Sequence, residues 1–310
     1  MDNILVTGGL GFIGSHIVEE LVLLDHNITI IDDFSSGKLA NIAHIEKKNV
    51  DVINLDIRDD DAVAAVFDRK KFDVVYHQAA IASVQKSIND AENTKAVNVH
   101  GTENIFTNAV RTHVDKVVFA SSAAVYGDDP LLPKNEAMRL NPVSPYGEHK
   151  MINEDMALIY SEKGTTQFLG LRYFNVYGER QNPSSEYSGV ISIFMDKFER
   201  DENLAVYGDG EQSRDFVYIK DVVTANIMML MSYEGFCVYN VGTGVPKTIN
   251  ELISILEKIF SQENKVMYAS PREGDIQKSV SDIGRIKRDY SYFPRYNLEQ
   301  GLRRYCKNKA

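Results

Sequence analysis

The chain opens with a short apolar run, "NILVTGG", then "GFIGSHIVEELVLL", where apolar positions recur at helical spacing, then "NITIIDD", apolar again. A short continuous apolar run reads as a strand buried on both faces, and a 3.6-residue repeat reads as a helix with one side in a core. Strand, turn, helix and strand therefore close within about thirty residues. The alternation continues: "NVDVINLDI", "FDVVYHQAA" and "VDKVVFASSAAVYG" are strand-like, with helical stretches such as "NTKAVNVHGTENIFTNAV" between them. Such a pattern predicts an α/β fold built on a doubly wound parallel sheet, with ligands over the carboxyl ends of its strands.

The first turn carries Gly8, Gly11 and Gly14 at GxxGxxG spacing, with Phe12 and Ile13 inside it. Glycine there permits a tight turn, close approach of a pyrophosphate and close packing of helix on strand, while the helix N-terminus supplies N–H groups. Asp32 ends the second strand, where a carboxylate can accept from both hydroxyls of an adenosine ribose and would repel a 2′-phosphate. NAD is therefore expected rather than NADP, although Lys38 is nearby. Asp33, Ser36, Gly37, Asp56, Ile57, Ala79, Ala80 and Ser121 follow strand ends and complete the expected dinucleotide site of this Rossmann arrangement.

"SPYGEHK" reads as a helix beginning near Pro145, which puts Tyr146 and Lys150 one turn apart on one face. Oxidising an alcohol with NAD needs a base beside the nicotinamide. A free tyrosine titrates at about 10, so bringing it to about 7 takes about 4 kcal/mol of preferential phenolate stabilisation. An ammonium about 4 Å away supplies that order at an effective dielectric of about 20. Ser122, at the end of the preceding strand, would hydrogen-bond the reacting oxygen.

Taken in order, "TGGLGFIGSH", "HQAA", "SSAAVYG", "SPYGEHK", "LRYFNVYG" and "RDFVYIKDV" resemble the extended short-chain dehydrogenase/reductases, and within them the nucleotide-sugar 4-epimerases, over essentially the whole chain. The resemblance implies that Tyr146 is the base, that Lys150 tunes it and holds the nicotinamide ribose, that Ser122 assists, and that Asn98 and Tyr173 contact cofactor. It also implies a UDP-sugar substrate, touched by Asn175, by Val190 in "SGVISIF", by Tyr207, and by Arg214, Arg272 and Asp275. Sugar dehydratases of this kind carry an acid pair after the serine or threonine, and UDP-glucuronate decarboxylases a glutamate in that stretch. Ala123 and Ala124 stand there instead, so return of the hydride, and hence 4-epimerisation, is expected. Ser279 stands where enzymes restricted to UDP-glucose and UDP-galactose carry a tyrosine, and Ala82 and Ser83 resemble the small-residue form of the sugar-facing loop. Interconversion of UDP-N-acetylglucosamine and UDP-N-acetylgalactosamine is expected, with the non-acetylated pair alongside. The rivals are a UDP-glucose 4-epimerase alone, a UDP-glucuronate 4-epimerase using Lys86 for the carboxylate, and a dinucleotide-binding redox sensor without turnover.

"VYNVGTG" is strand-like and is expected to rejoin the main sheet. The expected NAD-binding domain is then 1–173, rejoined by about 215–243, and a smaller interleaved α/β domain of 174–214 and 244–310 binds the nucleotide sugar. Helices around 94–112 and 146–163 resemble those that pair in a four-helix dimer interface, so a homodimer is expected. "TINELISILEKIF", capped at Thr248, reads as core. The formal net charge of −10 argues against a nucleic-acid binder. The longest apolar runs, such as "NIMMLM", are too short to cross a bilayer, and no basic leader precedes an apolar segment, so no membrane partner and a cytoplasmic location are expected. Cys237 and Cys306 have no metal-type spacing, so neither a disulfide framework nor a metal site is indicated. His77 and His149 are assigned no catalysis, and Tyr233, Tyr239, Tyr290, Tyr292 and Tyr296 are read as packing.

Overall fold

Seven parallel strands form the central sheet of the computed structural model, which describes residues 1–45, 49–182, 189–231, 235–271 and 276–309. In chain order the strands are β1 Asn3–Thr7, β2 Asn27–Asp32, β3 Val50–Asn54, β4 Val74–His77, β5 Lys116–Ser122, β6 Gln167–Tyr173, β7 Asn175–Tyr177, β8 Leu204–Tyr207, β9 Ser213–Tyr218, β10 Phe236–Val241, β11 Pro246–Thr248 and β12 Val266–Ala269. The large sheet runs β3-β2-β1-β4-β5-β6-β10, with every neighbouring pair parallel. The order reverses between β1 and β4, which opens a crevice at their carboxyl ends.

Both faces of the sheet are covered, which is why its strands are apolar throughout. Ile4, Val6, Val118, Leu169 and Leu171 join one core cluster, whereas Leu5, Val117, Phe119 and Phe168 join the other. Helices Phe12–Leu23 and Ile219–Met228 cover the first face, and helices Asp60–Arg69, Gly101–Arg111 and Pro145–Ser161 the second. Burying each such side chain contributes roughly 1.5–3 kcal/mol. Buried polar residues gather instead at the strands' carboxyl ends: Thr7, Asp32, His77, Ser121, Arg172 and Asn240.

The chain re-enters the sheet as β10 beside β6, as the pattern of "VYNVGTG" predicts. Outside that sheet, β9 pairs antiparallel with β11 and parallel with β7, and β8 pairs parallel with β12. Helices Val190–Glu199, Ile249–Phe260 and Leu298–Lys309 bury Phe194, Phe198, Leu252, Leu256 and Leu302 in the same cluster that covers the first face of the main sheet. Helix Ile249–Phe260 starts in a capping box of Thr248 with Glu251, and neither Cys237 nor Cys306 is in a disulfide. The helix expected around 94–112 begins earlier, as Ala91–Lys95, and passes through a π-turn at Ala96–His100 before Gly101–Arg111. Among the described residues no helix is long and apolar enough to cross a membrane.

Candidate functional site

The glycine turn lies at the crevice between β1 and β4. Gly8 has φ +65°, and a Cβ on it would stand 2.8 Å from the Ala79 backbone nitrogen. A Cβ on Gly14 would fall 2.1 Å from the Gly8 carbonyl oxygen, so only glycine lets the helix start this close to the strand. Helix Phe12–Leu23 has Gly11 at its cap, with no side chain capping it and no acidic residue in its first turn. Its leading N–H groups and positive dipole end suit a diphosphate. Asp32 is 6% exposed and accepts from the Leu10 and Phe34 amides at 3.0 and 2.9 Å. A carboxylate has about four acceptor sites, so it retains capacity for ribose hydroxyls. Burial raises the Asp32 pKa and those two amides oppose the rise. These features fit a dinucleotide.

The remaining expected cofactor residues are more committed. Asp33 accepts from the Ser35 amide and hydroxyl, Ser36 is exposed, and a Cβ on Gly37 would press on the Asp32 carboxylate at 2.5 Å. Asp56 is held by the Arg58 guanidinium, which keeps its pKa low, and the buried Ile57 offers its carbonyl to Asn104. Ala79 donates its amide to Thr7 Oγ1, and Ala80 follows it. Asn98, on the π-turn, donates to the Ile81 carbonyl at 3.0 Å and accepts from the Ile81 amide at 2.8 Å. Its side chain therefore clamps the loop after β4. Tyr173 donates its hydroxyl toward Asn226 and Gln78.

That loop carries Ala82, which is exposed, and Ser83, whose hydroxyl caps the short helix Val84–Asn89 by accepting from Lys86 N. Ser87, fully buried, accepts from the Tyr146 amide at 3.1 Å. Helix Pro145–Ser161 has Pro145 in its first turn, as its sequence predicts, and Ser144 as its cap, accepting from the Gly147 amide. Tyr146 is partly buried, with the Lys150 ammonium 5.8 Å from its ring centroid and the Ser122 hydroxyl beside its phenol. Ser122 accepts from the Ala124 amide. Lys150 is 4% exposed, donates to the Ala120 carbonyl at 2.8 Å, and is pushed by burial down to about 8. Burial raises the pKa of Tyr146, and Ser122 is the group that opposes the rise. The Lys150 ammonium, 5.8 Å from the Tyr146 ring centroid, is oriented by the Ala120 carbonyl.

The residues expected to meet substrate lie mostly on the smaller sheets. Asn175 starts β7 and is exposed, Val190 opens helix Val190–Glu199, and Tyr207 ends β8 at 38% exposure. Arg214, on β9, donates to the Ser213 carbonyl, and Ser279 donates its amide to the same oxygen at 3.1 Å. Arg272 and Asp275 lie outside the described residues. A cavity of about 660 Å³ is lined by Tyr207, Gly208, Gln212, Tyr268, Pro271 and Gln277.

Several residues of this region escape a reading by motif. Asp215 is fully buried and accepts from Thr243, Gly244 and Ser281, tying three segments beside Arg214. Glu154 and Arg172 form a buried ion pair behind Lys150. A charged residue inside the apolar strand "FLGLRYF" was the available signal for the second of these. His77 is locked between Thr7 and Thr102 and held neutral by burial, its pKa down to about 3; burial also lowers His149. Tyr239, Tyr290 and Tyr292 are buried, and Tyr296 packs edge-on to Tyr218 at 4.9 Å, whereas Tyr233 is outside the described residues.

Comparison with known proteins adds the following. The sequence model of the NAD dependent epimerase/dehydratase family matches residues 4–242. A putative UDP-glucose 4-epimerase of Methanocaldococcus jannaschii is 39% identical over 97% of this chain and 96% of its own length. The structure of a UDP-N-acetylglucosamine 4-epimerase from Methanobrevibacter ruminantium, in complex with UDP-N-acetylmuramic acid, superposes with a TM-score of 0.94 at 38% identity, covering 99% of this chain and 97% of that one. A UDP-glucose 4-epimerase from Thermotoga maritima with UDP-glucose superposes equally well, with a TM-score of 0.94 at 33% identity and 99% coverage of both chains.

Proposed function

Because the chain belongs to the NAD-dependent epimerase/dehydratase family, we propose that it interconverts UDP-N-acetylglucosamine and UDP-N-acetylgalactosamine through a transient 4-keto-sugar, and accepts the UDP-glucose/UDP-galactose pair as well. That it is a UDP-sugar 4-epimerase with NAD as cofactor follows from its relatives. The acetylated substrate is carried by one observation: the small Ser279 has its amide fixed on the Ser213 carbonyl. A small side chain at that wall leaves space for an acetamido group. The Methanobrevibacter ruminantium relative supports this choice, whereas the Thermotoga maritima relative favours the narrower UDP-glucose reading.

In this proposal the first glycine turn and the N–H groups of helix Phe12–Leu23 hold the pyrophosphate of NAD, and Asp32 holds the adenosine ribose. NAD, when bound, supplies the acceptor and donor of the hydride at sugar carbon 4. Tyr146 takes the proton of the 4-hydroxyl, with Ser122 hydrogen-bonded to the same oxygen, and later returns it to the opposite epimer. Lys150 holds the nicotinamide ribose and favours the phenolate, the positive nicotinamide making the site more electropositive still. Arg214, with Arg272, anchors the substrate diphosphate, since a guanidinium fork suits phosphate oxygens. Ala123 and Ala124 provide no acid after Ser122 for elimination of water, which favours return of the hydride. The active species in this proposal is a homodimer packed through helices around 94–112 and 146–163. Leu158 and Ile159, 44% and 51% exposed on the second helix, supply an apolar face for it.

Proton NMR of the purified protein incubated separately with UDP-N-acetylglucosamine, UDP-glucose and UDP-glucuronate tests the substrate. The expected result is conversion of the first two, with Ser279→Tyr losing the acetylated sugar and keeping the other. Conversion of UDP-glucose alone moves the assignment to the narrower epimerase, and conversion of UDP-glucuronate would point to Lys86.

A further inference from the structure

Three consecutive residues at the end of β5 meet three residues spaced by four along helix Pro145–Ser161. The Ala120 carbonyl accepts from Lys150 Nζ at 2.8 Å, the Ser121 hydroxyl donates to Glu154 Oε1 at 2.5 Å, and the Ser122 hydroxyl lies beside the phenol of Tyr146. Residues four apart on a helix share a face, so Tyr146, Lys150 and Glu154 form one stripe laid rung by rung on the strand end. Two rungs hold the reacting set proposed above. The third holds no reacting group, yet it is the most heavily built.

Glu154 is 4% exposed and Arg172 3%. Arg172 grips both carboxylate oxygens, Nε to Oε1 at 2.9 Å and Nη2 to Oε2 at 2.6 Å, while its Nη1 donates to the Tyr126 hydroxyl at 2.9 Å. That hydroxyl donates on to Asn240 Oδ1 at 2.7 Å. Ser121, Arg172 and Asn240 are register partners across β5, β6 and β10, so the fork is fixed by the sheet itself. An apolar pair would fill the same volume. A buried ion pair is weak evidence for stability, and its best-attested use is to set register, which an apolar contact leaves free to slide.

We propose that Glu154 and Arg172 are positioning residues for the epimerisation: their fork fixes helix Pro145–Ser161 along its axis against β5, and so fixes where Tyr146 and Lys150 stand relative to Ser122. This rests on the assignment of Tyr146, Lys150 and Ser122 made above. The sequence carries the same stripe as Tyr, Lys and Glu at positions 146, 150 and 154, with Ser121 and Ser122 as its counterpart. A second consequence is electrostatic. The ionisable groups around Lys150 are Tyr146, His149 and Glu154 on its own helix, His77 on β4, and Arg172 on β6 as Glu154's partner. Among them Glu154 is the carboxylate that favours the charged ammonium, against the cost of burial.

The test uses the NAD-loaded protein with UDP-glucose and UDP-N-acetylglucosamine as substrates, and compares Ser121→Ala, Glu154→Gln and Tyr146→Phe. Ser121→Ala cuts the rung from the strand side and leaves the ion pair whole. At saturating NAD it is expected to lower kcat roughly tenfold to a hundredfold, the scale of a small misplacement of reacting groups, with KM for the UDP-sugar retained. Glu154→Gln is expected to lower kcat and to move the alkaline limb of kcat to lower pH, because a carboxylate favouring the ammonium is gone. A fall in thermal midpoint with the pH limb unmoved would make the pair merely structural and overturn the proposal. Should Glu154→Gln fail to fold, Ser121→Ala decides: parental kcat overturns the positioning role. An inactive Tyr146→Phe beside a fully active Ser121→Ala refutes positioning and leaves the base assignment standing, whereas an active Tyr146→Phe removes the base assignment and the positioning role with it.

Discussion

Replacing Tyr146 by phenylalanine removes one oxygen atom, and with it the only group proposed to take the substrate proton. Turnover is expected to fall by about 10²–10⁴-fold or more, the usual worth of a positioned base, with NAD still bound, as a ratio of absorbances would reveal. Lys150 answers a different question. Its pKa is about 8 in the folded chain against 10.5 as a free side chain, so the unfolded chain binds more protons between those values and stability rises with pH across that window. Below about pH 8 both states are protonated and the folded state bears the whole cost of the buried ammonium. That net cost, with the hydrogen bond to Ala120 already in place, is about 3 kcal/mol. Lys150→Met is therefore expected to raise the thermal midpoint at pH 7 while abolishing turnover; a lower midpoint would contradict the burial argument. Gly14→Ala puts a Cβ 2.1 Å from the Gly8 carbonyl and is expected to release NAD, read by cofactor content after gel filtration.

Helix Pro145–Ser161 was legible because its signals are local: Pro145 marks its start, and Tyr146 and Lys150 fall one turn apart. The cap at Thr248 was legible for the same reason, and Thr248→Ala is expected to cost about 1 kcal/mol, a drop of about 2 °C in thermal midpoint. What the chain hid are contacts whose partners lie far away along it. Ser87 reaches the Tyr146 amide 59 residues on, Glu154 reaches Arg172 across 18, and Tyr126 meets Asn240 across 114. No periodicity marks such pairs. The π-turn at Ala96–His100 was hidden differently, since "NTKAVNVHG" has an ordinary helical composition and the wider winding shows only in the backbone. The burial around Tyr146 and Lys150 was hidden as well, because motif spacing gives a neighbour's charge but not its direction or the packing around both groups.

On the scale of the molecule, the parallel sheet and the return of the chain into it were readable from alternating apolar runs. The continuity of the core was not: one cluster runs from β1 to helix Leu298–Lys309 without a break. The exposed Leu158 and Ile159 make assembly the property to measure at this scale. Sedimentation is expected to find two copies together, with Leu158→Glu combined with Ile159→Glu giving single chains; a wild-type protein that sediments as one chain would exclude the proposed pairing. The return of the chain as β10 also bears on how the protein is made. β6 ends at Tyr173, and its outer neighbour β10 begins only at Phe236. At about 5–20 residues per second on the ribosome, several seconds separate the two. During that interval the apolar β6, "QFLGLRY", is the rim of an incomplete sheet, open to pairing with a neighbouring nascent chain. Slower synthesis between 173 and 236 lengthens that interval, and is expected to raise the aggregated fraction of newly made chain.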